Sequence, residues 1–337
     1  MINNRMPHST LVAFCTVTAL GICGCSAEPE QSASGSAVVV DDVAVVLGEE
    51  ELDASDTSAS TAGSEEFALI WAPSELAARF ADDGLRILDA RSKQAYDESH
   101  VRGAVHVAVA DWKSQASADG GLHDVAAWSD RLGAVGIDNS TRVIVYGDSM
   151  PSTARVWWTL KYVGVAHAAV LDGGWQAWLE SGGETSSESS AIEPAQFTPE
   201  FQPQRLAEIG DLKESYQAAD VALVDTRSDG EFSGGHIPGA VRVEWSDLLN
   251  EDGRFKPADE LRQMFAASGI DENSTAITYC RSGGRASVDA LALELAGFKN
   301  VKNYYCSWQQ WSADPDAPVA QPEQAVTGPD SEQPPTP

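Results

Sequence analysis

Two stretches of this chain are near copies of each other, and that duplication limits its fold more than any other feature. ILDARSKQAYDESHVRGAVHV at 87–107 answers LVDTRSDGEFSGGHIPGAVRV at 223–243. At a constant offset of 136 the identical pairs are Asp89/Asp225, Arg91/Arg227, Ser92/Ser228, His100/His236, Gly103/Gly239, Ala104/Ala240, Val105/Val241 and Val107/Val243. Further along, at an offset of 133, Tyr146 answers Tyr279, Gly164 answers Gly297, and Trp175 and Trp178 answer Trp308 and Trp311. Two anchored stretches with a small length change between them indicate duplication. Each copy runs strand, polar segment, strand, helix, then strand and helix. That alternation predicts an α/β fold of two similar domains, each a mainly parallel sheet flanked by helices. In such sheets, sites form beyond the carboxyl ends of the strands.

One strand end carries a thiol. In ITYCRSGGRASVDALALELAGF (277–298), Ile277, Thr278 and Tyr279 suit a buried strand. Leu291, Leu293, Leu295 and Phe298 read as the apolar side of a helix. Cys280 stands in the turn between them, ahead of a helix end whose free N–H groups attract anions. Gly283 and Gly284 allow backbone angles that turn successive N–H groups inward, forming an anion nest. Arg281 and Arg285 add positive charge, and Ser282 completes the loop. Such surroundings favour a thiolate. The matching strand end in the first copy is Gly147, and no cysteine occurs between Ile70 and Gln204. Covalent chemistry is therefore expected in the second copy alone.

The chain has 337 residues, enough for about two domains. Its net charge of −29 disfavours nucleic acid and anionic membrane surfaces as partners, since both require basic patches. Residues 1–25 read as an export signal: the apolar run LVAFCTVTALGI leads into Ile22-Cys23-Gly24-Cys25-Ser26. This resembles a bacterial lipoprotein signal with Cys25 as the lipidated residue; the alternative is an ordinary secretory signal. Lipidation would hold the protein to a bacterial membrane, on its periplasmic or cell-surface side, through acyl chains alone. Of five cysteines, Cys15, Cys23 and Cys25 belong to this segment, leaving Cys280 and Cys306 for the folded part. Neither a disulfide framework nor zinc-type spacing results. Residues 26–66 are expected to be a disordered tether, 67–183 the first domain, 184–205 a linker, 206–315 the catalytic domain and 316–337 a disordered tail.

The motif D-x-R-(x)4-[YF]-x3-H-x-x-G-A, followed by strand, Cys, loop, helix and a late W-x-x-W, resembles the rhodanese domain. Its tandem occurrence resembles the two-domain thiosulfate and 3-mercaptopyruvate sulfurtransferases. The resemblance implies a ping-pong cycle in which Cys280 takes sulfur from a small anionic donor and passes it to a thiophilic acceptor, cyanide or a thiol. It implies no cofactor and no metal. It lets Arg227, expected to pair with Asp225 behind the loop, also reach a sulfonate or carboxylate of the donor. A first domain without a thiol would cover the second domain's site. His100 and His236 are expected to be structural, and Trp157, Trp158, Trp175, Trp178, Trp308 and Trp311 to lie in cores or at the domain contact. Arg281-Ser282 is intermediate between a basic pair, which accompanies thiosulfate, and Gly-Ser, which accompanies 3-mercaptopyruvate. A phosphatase reading fits less well, because such sites resemble His-Cys-x5-Arg whereas only four residues separate Cys280 from Arg285. A non-enzymatic redox or binding module is the other alternative. Tyr305-Cys306-Ser307-Trp308 departs from the family's Asp-Gly-Ser-Trp, and its cysteine either fills a tight turn in place of glycine or forms a reversible disulfide with Cys280.

Overall fold

The structure, a computed structural model, describes residues 67–321. The expected signal with Cys25, the expected tether and the end of the expected tail lie outside the described residues. In chain order the strands are β1 (Ile70–Trp71), β2 (Leu85–Asp89), β3 (His100–Val101), β4 (Val105–His106), β5 (Arg142–Tyr146), β6 (Ala168–Leu171) and β7 (Thr185–Ser186), followed by β8 (Val221–Asp225), β9 (Val241–Arg242), β10 (Thr275–Tyr279) and β11 (Val301–Asn303). The first sheet has the order β1-β6-β5-β2-β4 and the second β11-β10-β8-β9, with parallel pairing throughout both. Register repeats as well: Asp89 lies opposite Tyr146, and Asp225 opposite Tyr279.

Both copies close in the same way. In the first, β3 pairs antiparallel with β7, placing His100 opposite Ser186. In the second, a single antiparallel bridge joins His236 to Ala320. The boundaries expected at 183 and 315 therefore fall short, each by this closing element. A second bridge sets Leu206 parallel to Asn303, the edge position that β1 fills in the first sheet.

The central strands are buried because helices cover both sheet faces, which is why RVIVY and TAITY are apolar runs and not alternating ones. The Met150–Val163 helix of the first domain packs against the Gly284–Leu295 helix of the second. One continuous core runs through this contact, joining Trp157 and Trp158 to Leu291 and Leu293. Each domain keeps a smaller core on the opposite face, around Trp178 in one and Trp311 in the other. Trp175 and Trp308 do something else: each lies over the arginine of its own Asp–Arg pair, at 3.9 and 4.6 Å. The 284–295 helix ends sooner than its apolar pattern suggests. Gly297 takes φ 99°, and Phe298 returns its N–H to the Leu293 carbonyl, so Phe298 packs from beyond the helix, against Phe265. Among the described residues no helix is long and apolar enough to cross a membrane.

Candidate active site

The end of β10 delivers Cys280 into a tight loop that closes over its sulfur. Sγ accepts N–H groups from Ser282 at 3.3 Å and Gly283 at 3.1 Å, and the Ser307 hydroxyl lies 3.9 Å away. Ser307 also accepts the N–H groups of Cys280 and Gly283, each at 3.1 Å, and donates to the Tyr304 carbonyl. Its backbone sits at φ 56°, the one non-glycine residue with positive φ among the described residues. Two N–H groups converging on a sulfur at the start of a twelve-residue helix form a cradle for a thiolate or persulfide.

The two glycines have different reasons. Gly283 is left-handed at φ 87°, and a Cβ there would come within 2.7 Å of the Tyr305 carbonyl oxygen. Gly284 is already helical; a Cβ there would meet Arg155 Nη2 at 2.7 Å and the Pro151 carbonyl at 3.1 Å. The second glycine thus admits the first domain, which approaches the loop from above. Arg155 is only 7% exposed, donates to the Tyr305 hydroxyl at 2.8 Å, and pairs with no carboxylate among the described residues. A guanidinium held over a helix N-terminus adds positive charge where the helix already favours an anion.

The structure does not gather all the expected basic groups around the sulfur. Arg285 is drawn onto Glu231 in a bidentate pair at 2.6 and 2.9 Å while staying beside the Cys280 sulfur. This pair holds the Glu231 carboxyl down at about 2 and pushes the guanidinium up. Arg281 is exposed and faces outward, bordering a cavity of about 440 Å³ with Arg227, Glu231 and Trp308. Arg227 is locked by Asp225 at 2.6 Å and the Gly235 carbonyl at 2.8 Å. Arg91 repeats this arrangement with Asp89 and the Ser99 carbonyl in the copy that has no thiol. The pair is therefore architectural, and Arg227 reaches only the outer cavity. His100 and His236 are structural in the same sense: each Nδ1 bonds the carbonyl four residues back, and each ring stacks on an aromatic neighbour at 3.9 and 3.8 Å.

Cys280 and Cys306 are both free thiols. It is Ser307 that turns toward Cys280, while Cys306 borders a separate cavity with His123, Glu208 and Tyr304. Burial raises the Cys306 thiol above its ordinary range, and the Glu208 carboxylate adds to the rise. No disulfide joins the two in this structure, and they face different surroundings.

The profile of the rhodanese-like domain matches residues 72–181 and again 208–314. The chain belongs to the rhodanese family. It is similar to the thiosulfate sulfurtransferase of Bos taurus, at 34% identity over 74% of this chain and 93% of that one. The thiosulfate sulfurtransferase of Gallus gallus is 31% identical over 68% of this chain and 86% of its own. Among solved structures, the 3-mercaptopyruvate sulfotransferase SseA of Escherichia coli matches with a TM-score of 0.66 at 26% identity, covering 71% of this chain and 98% of that one. An anaerobic ergothioneine biosynthesis enzyme from Chlorobium limicola matches with a TM-score of 0.64 at 25% identity over 71% of this chain, which spans 65% of that longer chain. Both rhodanese domains of the present chain are α/β, with a parallel sheet and flanking helices.

Three site residues escape a reading of the sequence. Glu231 looks like an ordinary first-turn acid of the Asp229–Ser233 helix. Ser307 carries no sign of its left-handed backbone. Arg155 leaves one clue, a cation in the otherwise uncharged run from Thr153 to Leu160.

Proposed function

We propose that this rhodanese transfers the sulfane sulfur of thiosulfate to cyanide or a thiol through a persulfide on Cys280. The observation that carries the reading is the cradle: the one strand-end thiol of the two copies accepts N–H groups from Ser282 and Gly283. In the first half-reaction the Cys280 thiolate attacks the outer sulfur of thiosulfate. A Cys280 S–S bond forms, the S–S bond of thiosulfate breaks, and its electron pair leaves with sulfite. In the second, cyanide attacks the terminal sulfur, giving thiocyanate and restoring the thiolate. The persulfide charge lies one atom beyond Sγ, where Arg285, already beside Cys280, supplies positive charge. Both relatives named for thiosulfate cover more than two thirds of this chain, which supports that donor.

A second donor has its own supporting observation. Because Glu231 neutralises Arg285 and Arg281 faces outward, the cradle offers less free charge to a dianion than the loop sequence suggests. 3-Mercaptopyruvate, a monoanion, fits such a site. Turnover of purified protein with each donor and cyanide decides between them: thiocyanate production with the higher kcat/KM for thiosulfate is expected, and no turnover with either donor would overturn the enzyme reading.

The same proposal takes the chain to be exported and lipidated at Cys25, with its membrane contact limited to acyl chains. The support is the Ile22-Cys23-Gly24-Cys25 context. Fatty-acid labelling in a bacterial host, lost in Cys25→Ser, is the expected result; labelling unaffected by that change, or none at all, would refute it.

A further inference from the structure

The least explained group in the second domain is Asp289. It is fully buried, and neither carboxyl oxygen has a hydrogen-bond partner. At the repeat offset of 133 it answers Val156, equally buried in the first domain. One position of the fold is therefore apolar in the copy without a strand-end thiol and acidic in the copy with one. Valine serves the packing, so an unpartnered acid there points to a task.

Asp289 follows Arg285 by four residues on the Gly284–Leu295 helix, so the two share a face. Its Cα–Cβ bond tilts toward the helix N-terminus and so toward the underside of the Cys280 loop. The usual ion pair at this spacing does not form, because Arg285 is committed to Glu231. The charged and titratable groups around the carboxyl are Cys280 from the loop, Arg285 from its own helix, Asp225 from the end of β8 and Asp247 from the Trp245–Leu248 turn. Arg155 of the first domain approaches the same helix at Gly284, Asn303 of β11 bonds Ser287, and Arg262 of the Ala258–Ala267 helix bonds the far end at Ala296. Asp225 is already matched by Arg227. Burial, and then the negative charge of Cys280 and Asp225, holds the Asp289 carboxyl well above the usual carboxylate range.

The two acids of this pair are treated in opposite ways. The Cys280 sulfur accepts two N–H groups, whereas the Asp289 oxygens accept none. Hydrogen bonds to a charged form favour it, and burial without them favours the neutral form. The geometry points to Asp289 as a positioning residue that holds the proton the pair shares, leaving Cys280 as the thiolate in the resting enzyme. The step is a proton transfer alone: thiol and carboxylate become thiolate and carboxylic acid, and nothing is oxidised or reduced. An anionic donor then meets one negative charge in the cradle. When the acid ionises, it meets two. The inference rests on Cys280 as the sulfur carrier.

Alkylation of Cys280 reads this charge directly. Rates with neutral iodoacetamide and anionic iodoacetate are compared from about pH 6 to about pH 10, scored on the Cys280 peptide by mass spectrometry to exclude Cys306. The ratio of the two rates cancels the thiolate fraction. In the wild-type protein the charged reagent is expected to lose ground about tenfold through one step as the pH rises, the scale of one added unit charge nearby. Sulfur loading from thiosulfate should fall through the same step. Asp289→Asn, and independently Asp289→Val with the first domain's residue, should abolish the step in both readouts. A flat ratio in the wild type, or a step that persists in either folded variant, overturns the assignment. A Cys280 that shows the step yet takes up no sulfur would support the proton assignment and count against the sulfur-carrier reading instead.

Discussion

The two rhodanese domains share strand order, register and closing bridge, so the places where they part company are informative. Gly147 stands where the second domain has Cys280, Ala95 where it has Glu231, Ser152 where it has Arg285, Val156 where it has Asp289, and Gly174 where it has Ser307. All five differences lie around one loop. Gly174 and Ser307 share a backbone φ of 56°, and the N–H of the following tryptophan reaches back to the strand-end carbonyl in both copies, Trp175 to Gly147 and Trp308 to Cys280. One backbone is thus used twice. In the first copy it accepts glycine where the conformation asks for it. In the second it carries a strained serine whose hydroxyl organises the thiol loop, a cost of about 1–2 kcal/mol for an L-residue in that region.

Conservation of the Asp–Arg pair and the buried tyrosine in both copies has the opposite meaning. Tyr279 presents its hydroxyl to Asp225 and the Ile237 N–H, as Tyr146 does to Asp89 and Val101. Features present in the copy without the strand-end thiol belong to the fold. Features confined to the other copy belong to the site.

The strongest way to break this division is to exchange its central residue. Cys280→Ser should abolish sulfur transfer while thermal unfolding stays close to wild type, because the change is nearly isosteric. The reverse graft, Gly147→Cys, should create no second sulfur-carrying residue. A Cβ at that position would lie 2.5 Å from Thr153 Oγ1, so the first domain has no room for the cradle. Turnover by folded Cys280→Ser, or persulfide on the grafted cysteine, would contradict the assignment.

Ser307→Gly restores the first domain's residue and sharpens the comparison. Removing the hydroxyl leaves the Cys280 N–H without its acceptor, a loss of about 1 kcal/mol, while glycine relieves strain of similar size. The melting temperature should therefore move little, yet kcat/KM should fall by about 10–100-fold as the loop loses its anchor. A large loss of stability with unchanged turnover would show that Ser307 serves the fold. Smaller again is the effect expected at the first domain's contribution. Arg155→Met should raise the thiosulfate KM about tenfold, the scale of one lost charged contact. An unchanged KM would return Arg155 to a purely structural role against Tyr305. Glu231→Gln should give the smallest change, lowering that KM by about three- to fivefold as Arg285 is released toward the donor. A raised KM would mean that Arg285 works only when Glu231 positions it.

Much of this was legible in the chain. The duplication fixed two α/β domains, and the strand–Cys–glycine loop located the thiol, because both are local patterns of residue type and spacing. What stayed hidden depends on partners distant in sequence. Arg285 is free in the loop sequence but is claimed by Glu231, 54 residues earlier. Arg155 reaches the site from 150 residues before its partner Tyr305. The expected Cys280–Cys306 disulfide rested on both thiols following strands of one sheet, yet Cys306 lies past the end of β11, at the start of the Ser307–Trp311 helix, and turns elsewhere. The boundaries at 183 and 315 missed β7 and the Ala320 bridge, since a two-residue closing strand leaves no periodicity to read.

The division between the domains is tested most directly by counting sulfur. The full chain is loaded with thiosulfate, freed of excess donor and mapped by peptide mass spectrometry before and after cyanide. One added sulfur per chain is expected, located on Cys280 and released as one thiocyanate. Sulfur retained on Cys306, a second equivalent released by cyanide, or none on Cys280 would contradict the claim that one domain carries the chemistry and the other covers it.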